Sequence, residues 1–401
     1  MQLDGRALVF ALVAVALTSA TMAAALQRVR QLGEQNARQG ELASLRNDVA
    51  SAIAYLRAAH DDRPGYGPAA VPGRLRESLG ACELARSPWG LYDLLEARAV
   101  SRDGLDTVYR GRLVGADLRG APTLTVADRG FALRATGLAE VTGAAVVPGG
   151  RIEPYVGGGR RGSRGRAHHR GRGRPAGQRL PPLAADRIDA LLSLPGADVE
   201  AVREAFPSAD TVILGDDLVV DARSPRRRAV YVARAAIEIA PATALASVVA
   251  IAPRVHVGEG ARGSLQVFAS AELTVGERLA LARASALALG REAEPLALPP
   301  TSVLHGTVAH LGSALEQPNL LLPRGARVEG AVYSAGALAL DGEVSGAVFA
   351  ERIETRDGGE AGVNLLTTAR LGPLPAGGLA PGIALPASPG ERPRFASAGT
   401  F

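Results

Sequence analysis

The chain contains no lysine. All 45 of its Lys+Arg residues are arginine, a uniformity that reflects coding base composition more than a choice of phosphate ligands. Cysteine is nearly absent too: Cys82 stands alone, so neither an internal disulfide nor a cysteine-rich metal site can form. An export compartment stays open to a chain without bridges. Aromatic residues make up only 4% of the chain against 47% apolar, and glycine numbers 48. That balance suits thin stacked strands of Val, Leu and Ala with glycine at the corners, rather than a thick aromatic-filled core. Acidic residues are missing between Pro154 and Ala185, where eight arginines fall (160, 161, 164, 166, 170, 172, 174 and 179). Setting that +8 aside leaves 5 − 8 = −3 for everything else, which is no polyanion-binding surface.

Ala7 to Leu26 is twenty residues without a charge, long enough to cross a bilayer as a helix. It reads either as a signal anchor or as a signal peptide cleaved near the small residues Ala23–Ala25. The continuation favours the anchor. Leu42, Leu45, Val49, Ile53 and Leu56 fall at three- and four-residue steps, one apolar stripe on a polar helix. An apolar helix running into an amphipathic one, opened by Gly5-Arg6-Ala7-Leu8-Val9-Phe10-Ala11, resembles the first helix of the type IV pilin and pseudopilin group. Phe10 stands where that group carries an acidic residue. Residues 1–60 are therefore expected to be a membrane anchor and amphipathic helix, inserted in the inner membrane as a single pass. The body is expected to be periplasmic, with secretion after cleavage or a cytoplasmic body as alternatives; by arginine count the positive-inside rule points to the cytoplasm.

A Pro/Gly break, Asp61 to Gly73, ends the helix. Residues 61–156 then read as a small β-rich domain with Trp89 and Tyr92 anchoring its core. Within it, Val141–Gly150 already looks like one solenoid strand leading into a turn. Residues 157–185 form an Arg/Gly-rich insertion with too little apolar content to order itself. Without interleaved aromatics it is not expected to bind nucleic acid. Residues 186–210 read as short helices with Leu191, Leu192, Leu194 and Val202 available for packing.

From Thr211 to Ile353 short strands follow one another. Val212, Val230, Val248 and Val267 recur at eighteen or nineteen residues, a plausible coil length for a three-sided β-helix. Val328-Glu-Gly-Ala-Val-Tyr-Ser-Ala is answered sixteen residues later by Val344-Ser-Gly-Ala-Val-Phe-Ala-Glu. Val/Leu alternation around small residues is strand spacing, and repetition at one rung's length predicts stacked coils. The expected fold is thus mainly β: a β-helix over 211–370, interrupted by an excursion at Arg291–Pro300 and followed by a Pro/Gly-rich tail over 371–401. These Val-x-Gly-x-Val-aromatic-small units, with Gly258–Ala269, resemble the bactofilin-like, polymer-forming bacterial β-helix proteins. That resemblance implies a scaffold beside the membrane.

Chemistry is poorly signalled. Asp216-Asp217 is the only adjacent acidic pair in the solenoid and suits a turn. A glycan-cleaving site would need these two with Glu238 and Tyr231 along one cleft. His256, His305 and His310 are similar to the three-histidine zinc site of gamma-class carbonic anhydrases, but that family's short repeat is not sustained here. His168-His169 read as solvated. No phosphate loop or nucleophile elbow appears. The reading is a non-enzymatic, membrane-anchored envelope scaffold or docking protein within a pilin-like or secretion assembly, using no catalytic, cofactor or metal residues. Its partners are the membrane, through Ala7–Leu26, and other envelope proteins or further copies. A carbohydrate-active β-helix enzyme is the alternative.

Overall fold

A computed structural model of the chain describes residues 5–59, 67–68, 82–116, 121–127, 130–136, 138–155, 168–175, 180, 185–357, 360–374 and 395–400. They form two compact units. One comprises Met1–Tyr55, Ala69–Leu84 and Ala97–Arg110; the other comprises Leu56–Pro68, Ala85–Glu96 and Gly111–Phe401.

The first unit is dominated by one helix, Gly5–Ala59. Its apolar first part is solvent-exposed at every described side chain, from Leu8 to Leu26. By length and composition this helix can cross a membrane. Further along, Leu45, Val49 and Ile53 are buried, on the stripe that the three- and four-residue spacing marks out. Arg38 holds Asp106 through two bonds of 2.9 Å each, which keeps the Asp106 carboxyl below its usual range. Cys82 is buried, and desolvation, with Asp48 nearby, pushes its thiol pKa up.

The second unit is a parallel β-solenoid with three sides. The sixteen-residue repeat pairs residue for residue: Val328 lies beside Val344, Gly330 beside Gly346, Val332 beside Val348 and Tyr333 beside Phe349. The first side carries the inward ladder Leu245, Leu281, Leu304, Val328, Val344. On the second side the inward ladder is Ala250, Val267, Leu287, Val308, Val332, Val348. The third side contributes Ile237, Val255 and Leu273, then Leu296, Leu320, Leu338 and Ile353. Glycine is required at the corner into the second side: a Cβ on Gly346, whose φ is +145°, would lie 1.9 Å from the Gly330 carbonyl oxygen.

Two expectations of register are corrected. Val230 pairs with Val249, not Val248, and Val267 pairs with Ala250. Bulges at the corners vary the rung length, so equal spacing in sequence does not guarantee equal position on the rung. Arg291–Pro300 is not wholly an excursion, because Leu296–Ala297 is a strand of the third side, paired to Leu320–Leu321, with Leu296 and Leu298 in the core.

The solenoid also extends beyond residues 211–370. After Val348–Ala350 the next strand on the second side is Leu124–Val126, followed by Ala145–Val147 and Gly173–Pro175. On the first side Glu343–Ser345 is followed by Arg370–Gly372, Glu140–Thr142 and His168–Arg170. Val141–Val147 is therefore a solenoid rung, as its sequence suggests, but stacked past the last rung of the C-terminal half. Phe395–Thr400, within the expected tail, pairs antiparallel with Arg112–Ala116. Most of the Arg/Gly-rich insertion and of the tail lies outside the described residues.

Candidate functional site

The second side of the solenoid is buried on both faces. Its outward ladder, Val232, Ile251, Phe268, Ala288, Ala309, Tyr333 and Phe349, is as apolar as its inward one. Hence the runs Val248–Ala252, Ala286–Leu289 and Ala347–Ala350 lack polar alternation, as strands covered on both faces do. The cover is a turn of the preceding sheet, bearing Trp89, Tyr92 and Leu94, together with Ile188 and Leu191 of the helix Ala185–Leu192 and Val202 and Phe206 beyond it. Trp89 and Phe206 meet edge to face, 5.9 Å between centroids. Trp89 and Tyr92 thus anchor onto the solenoid rather than within a separate small core.

Several polar groups inside this contact are paired. The Gln266 side chain accepts from the Leu91 amide at 2.8 Å and donates to the Trp89 carbonyl at 3.0 Å, so it reads the backbone of the turn. Gly90, at φ +60°, leaves the room: a Cβ there would sit 2.1 Å from Gln266 Oε1. Tyr92 donates to the Ser285 carbonyl at 2.9 Å, and burial raises its pKa far above the ordinary phenol value. Asp93 is held by Arg86 at 2.6 Å and Arg187 at 2.9 Å, tying the turn to the helix. Glu96 accepts from Ser208 and faces Arg228 at 3.5 Å. These bonds fasten the turn and the helix Ala185–Leu192 to the solenoid face.

The acids and histidines singled out in the sequence do not converge. Tyr231 faces the solenoid interior and donates to the Pro225 carbonyl at 2.5 Å. Asp216 lies at the second corner, 3.4 Å from Arg234, while Glu238 projects outward from the third side. His256 bonds Thr274 at 2.7 Å on the third side; His305 pairs with Glu329 at 2.7 Å on the first. His310 is buried at the end of a second-side strand. Its Nε2 donates to the Glu294 carbonyl at 3.1 Å and its Nδ1 accepts from the Gly312 amide at 3.0 Å, which defines a neutral ring, and burial lowers its pKa. Among the described residues no group of three or more His, Cys, Asp or Glu is placed to hold a metal. His168 and His169 lie on the outermost first-side strand.

The sequence predicts an exposed terminal rung, shielded by the segment after Thr368 or by the helices around Asp186–Phe206; those helices instead pack on the second side, and among the described strands the first rung keeps an open edge. Thr211–Val220 pairs through one edge with Ala229–Ile239, and no described strand pairs with its other edge. Ile213 and Leu218, which point inward, are only half-buried, whereas their neighbours Tyr231 and Ile237 one rung on are buried. Beside it a cleft of about 180 Å³ is lined by Pro195, Ala197, Leu214, Gly215, Asp216, Val232 and Arg234. Backbone donors and acceptors on such an edge can pair with another strand. Compared with protein-family models, curated proteins and solved structures, the chain finds no match.

Proposed function

We propose that the protein is a non-enzymatic, single-pass scaffold or docking protein of the bacterial cell envelope, with its solenoid body on the periplasmic side. One observation carries this reading: Leu8–Leu26 presents apolar side chains around its whole circumference, yet none is covered, while the same helix buries Leu45, Val49 and Ile53 further on. An uncovered apolar helix of that length is stable in lipid and unfavourable in water. The solenoid supports the scaffold half of the reading. Its interior is filled, hydrogen bonds and ion pairs fasten the covering turn and helix to it, and its described titratable groups are spread over different sides.

The test is membrane extraction and protease accessibility in cells. The full chain is expected in the alkali-resistant membrane fraction, with its body cleaved in spheroplasts and protected in intact cells. Replacing Leu12 and Val13 by arginine is expected to move it to the soluble fraction, at about 2.5–3.5 kcal/mol per central arginine. A chain that extracts with alkali refutes the anchor, and a body protected in spheroplasts refutes the periplasmic placement.

A further inference from the structure

We infer that the open end of the solenoid is an interface for a second copy of this chain, joined head to head by antiparallel pairing of Thr211–Val220. This goes beyond the scaffold reading and stands or fails without it.

Self-complementarity is written in the edge. The strand reads Thr-Val-Ile-Leu-Gly-Asp-Asp-Leu-Val-Val, with apolar residues on both flanks of a Gly-Asp-Asp centre. A two-fold axis between Gly215 and Asp216 sets Ile213 opposite the second copy's Leu218, and Val212 opposite its Val219. Facing is preserved in each pair. Ile213 and Leu218 both point inward, so each copy's last interior layer closes the other's. Val212 and Val219 both point outward. The three-sided cross-section fits the same operation, because a two-fold through this corner, between Gly215 and Asp216, exchanges the second and third sides and reverses strand direction. The interface is isologous, and it closes at two copies.

The other end of the stack does not invite growth. Its outermost second-side strand is Gly173-Arg174-Pro175, fully exposed, and proline offers no amide to a further strand. Arginine on an edge also opposes pairing. One end thus offers two matched apolar pairs, Ile213 with Leu218 and Val212 with Val219, and the other is blocked, which makes a finite dimer rather than a filament. Asp216 and Asp217 of both copies approach the axis; Arg234, already paired with Asp216, offsets part of that repulsion.

Sedimentation of the full chain in detergent tests this, with two variants. Val219 is 58% exposed, so Val219→Arg leaves the fold intact. The wild type is expected to be a dimer, with Val219→Arg weakening it by at least about tenfold, or roughly 1.4 kcal/mol, while its far-UV circular dichroism stays that of the wild type. The paired variant Val212→Cys plus Val219→Cys is expected to cross-link into a covalent dimer on mild oxidation. Either single cysteine variant, which retains buried Cys82, is expected not to. A wild type that stays monomeric, a dimer indifferent to Val219→Arg, a double-cysteine variant that does not cross-link, or species growing past two copies would each overturn the inference.

Discussion

Two sides of the same solenoid are built from the same rungs yet obey different rules. On the second side both faces of each strand are buried, and Phe268, Tyr333 and Phe349 project outward into a covered contact. On the third side the outward ladder is Val219, Glu238, His256 and Thr274, all exposed. Both sides share one interior, so the difference comes from what lies outside. A strand's polar alternation reports the presence of solvent on its far face, not the kind of strand it is.

The sharpest way to break this contrast is to open a hole on the covered side. Phe268→Ala is expected to cost about 3–5 kcal/mol in denaturant unfolding, the range for a buried aromatic lost from a packed contact. A cost near zero would mean that the cover does not hold the face. Gln266→Leu removes both bonds to the turn and takes the acceptor from the buried Leu91 amide; a loss of about 1–3 kcal/mol is expected. Gln266→Glu should recover the amide's acceptor but not the carbonyl's donor, separating the two contributions.

His310 extends the comparison to pH. Its folded pKa lies below the ordinary value, so the unfolded chain binds the proton more readily. The stability it contributes is present above the unfolded pKa, near 6.5, and is lost as pH falls through the folded value. The unfolding midpoint should therefore drop on acidification below about pH 6.5, and His310→Gln should flatten that part of the profile. The smallest effect is expected from Glu238→Ala on the third side, within about 0.5 kcal/mol. A larger loss there would point to a cover on that side as well.

Much of the solenoid was legible because its decisive signal is local. Val328–Ala335 and Val344–Glu351 announce neighbouring rungs by matching residue for residue, and the structure pairs them in that register. Corner bulges hid the rest of the phase, which is why Val248 reads as Val230's neighbour when Val249 is. Leu296 was lost for a related reason: a two-residue strand between prolines and acids carries too short a pattern. The joint at Gln266 had no sequence signal, since it depends on a turn 175 residues away. The apolar outward ladder was visible as unbroken runs, but nothing local says which segment covers it. That a terminal edge would stand exposed follows from the solenoid pattern; which end stays open does not, because the matched apolar pairs flanking Gly215-Asp216 carry no local sign of exposure.

The stacking of Leu124–Val126 on Val348–Ala350 bears on how the molecule is made. The earlier strand leaves the ribosome more than two hundred residues ahead of its neighbour, an interval of roughly 10–45 s at ordinary elongation rates. Throughout that interval a bare β edge waits beside an apolar segment with no native place to go. A nascent chain in this position depends on holding factors or on late threading, and the last rung to be synthesised is the one that lets the first be seated.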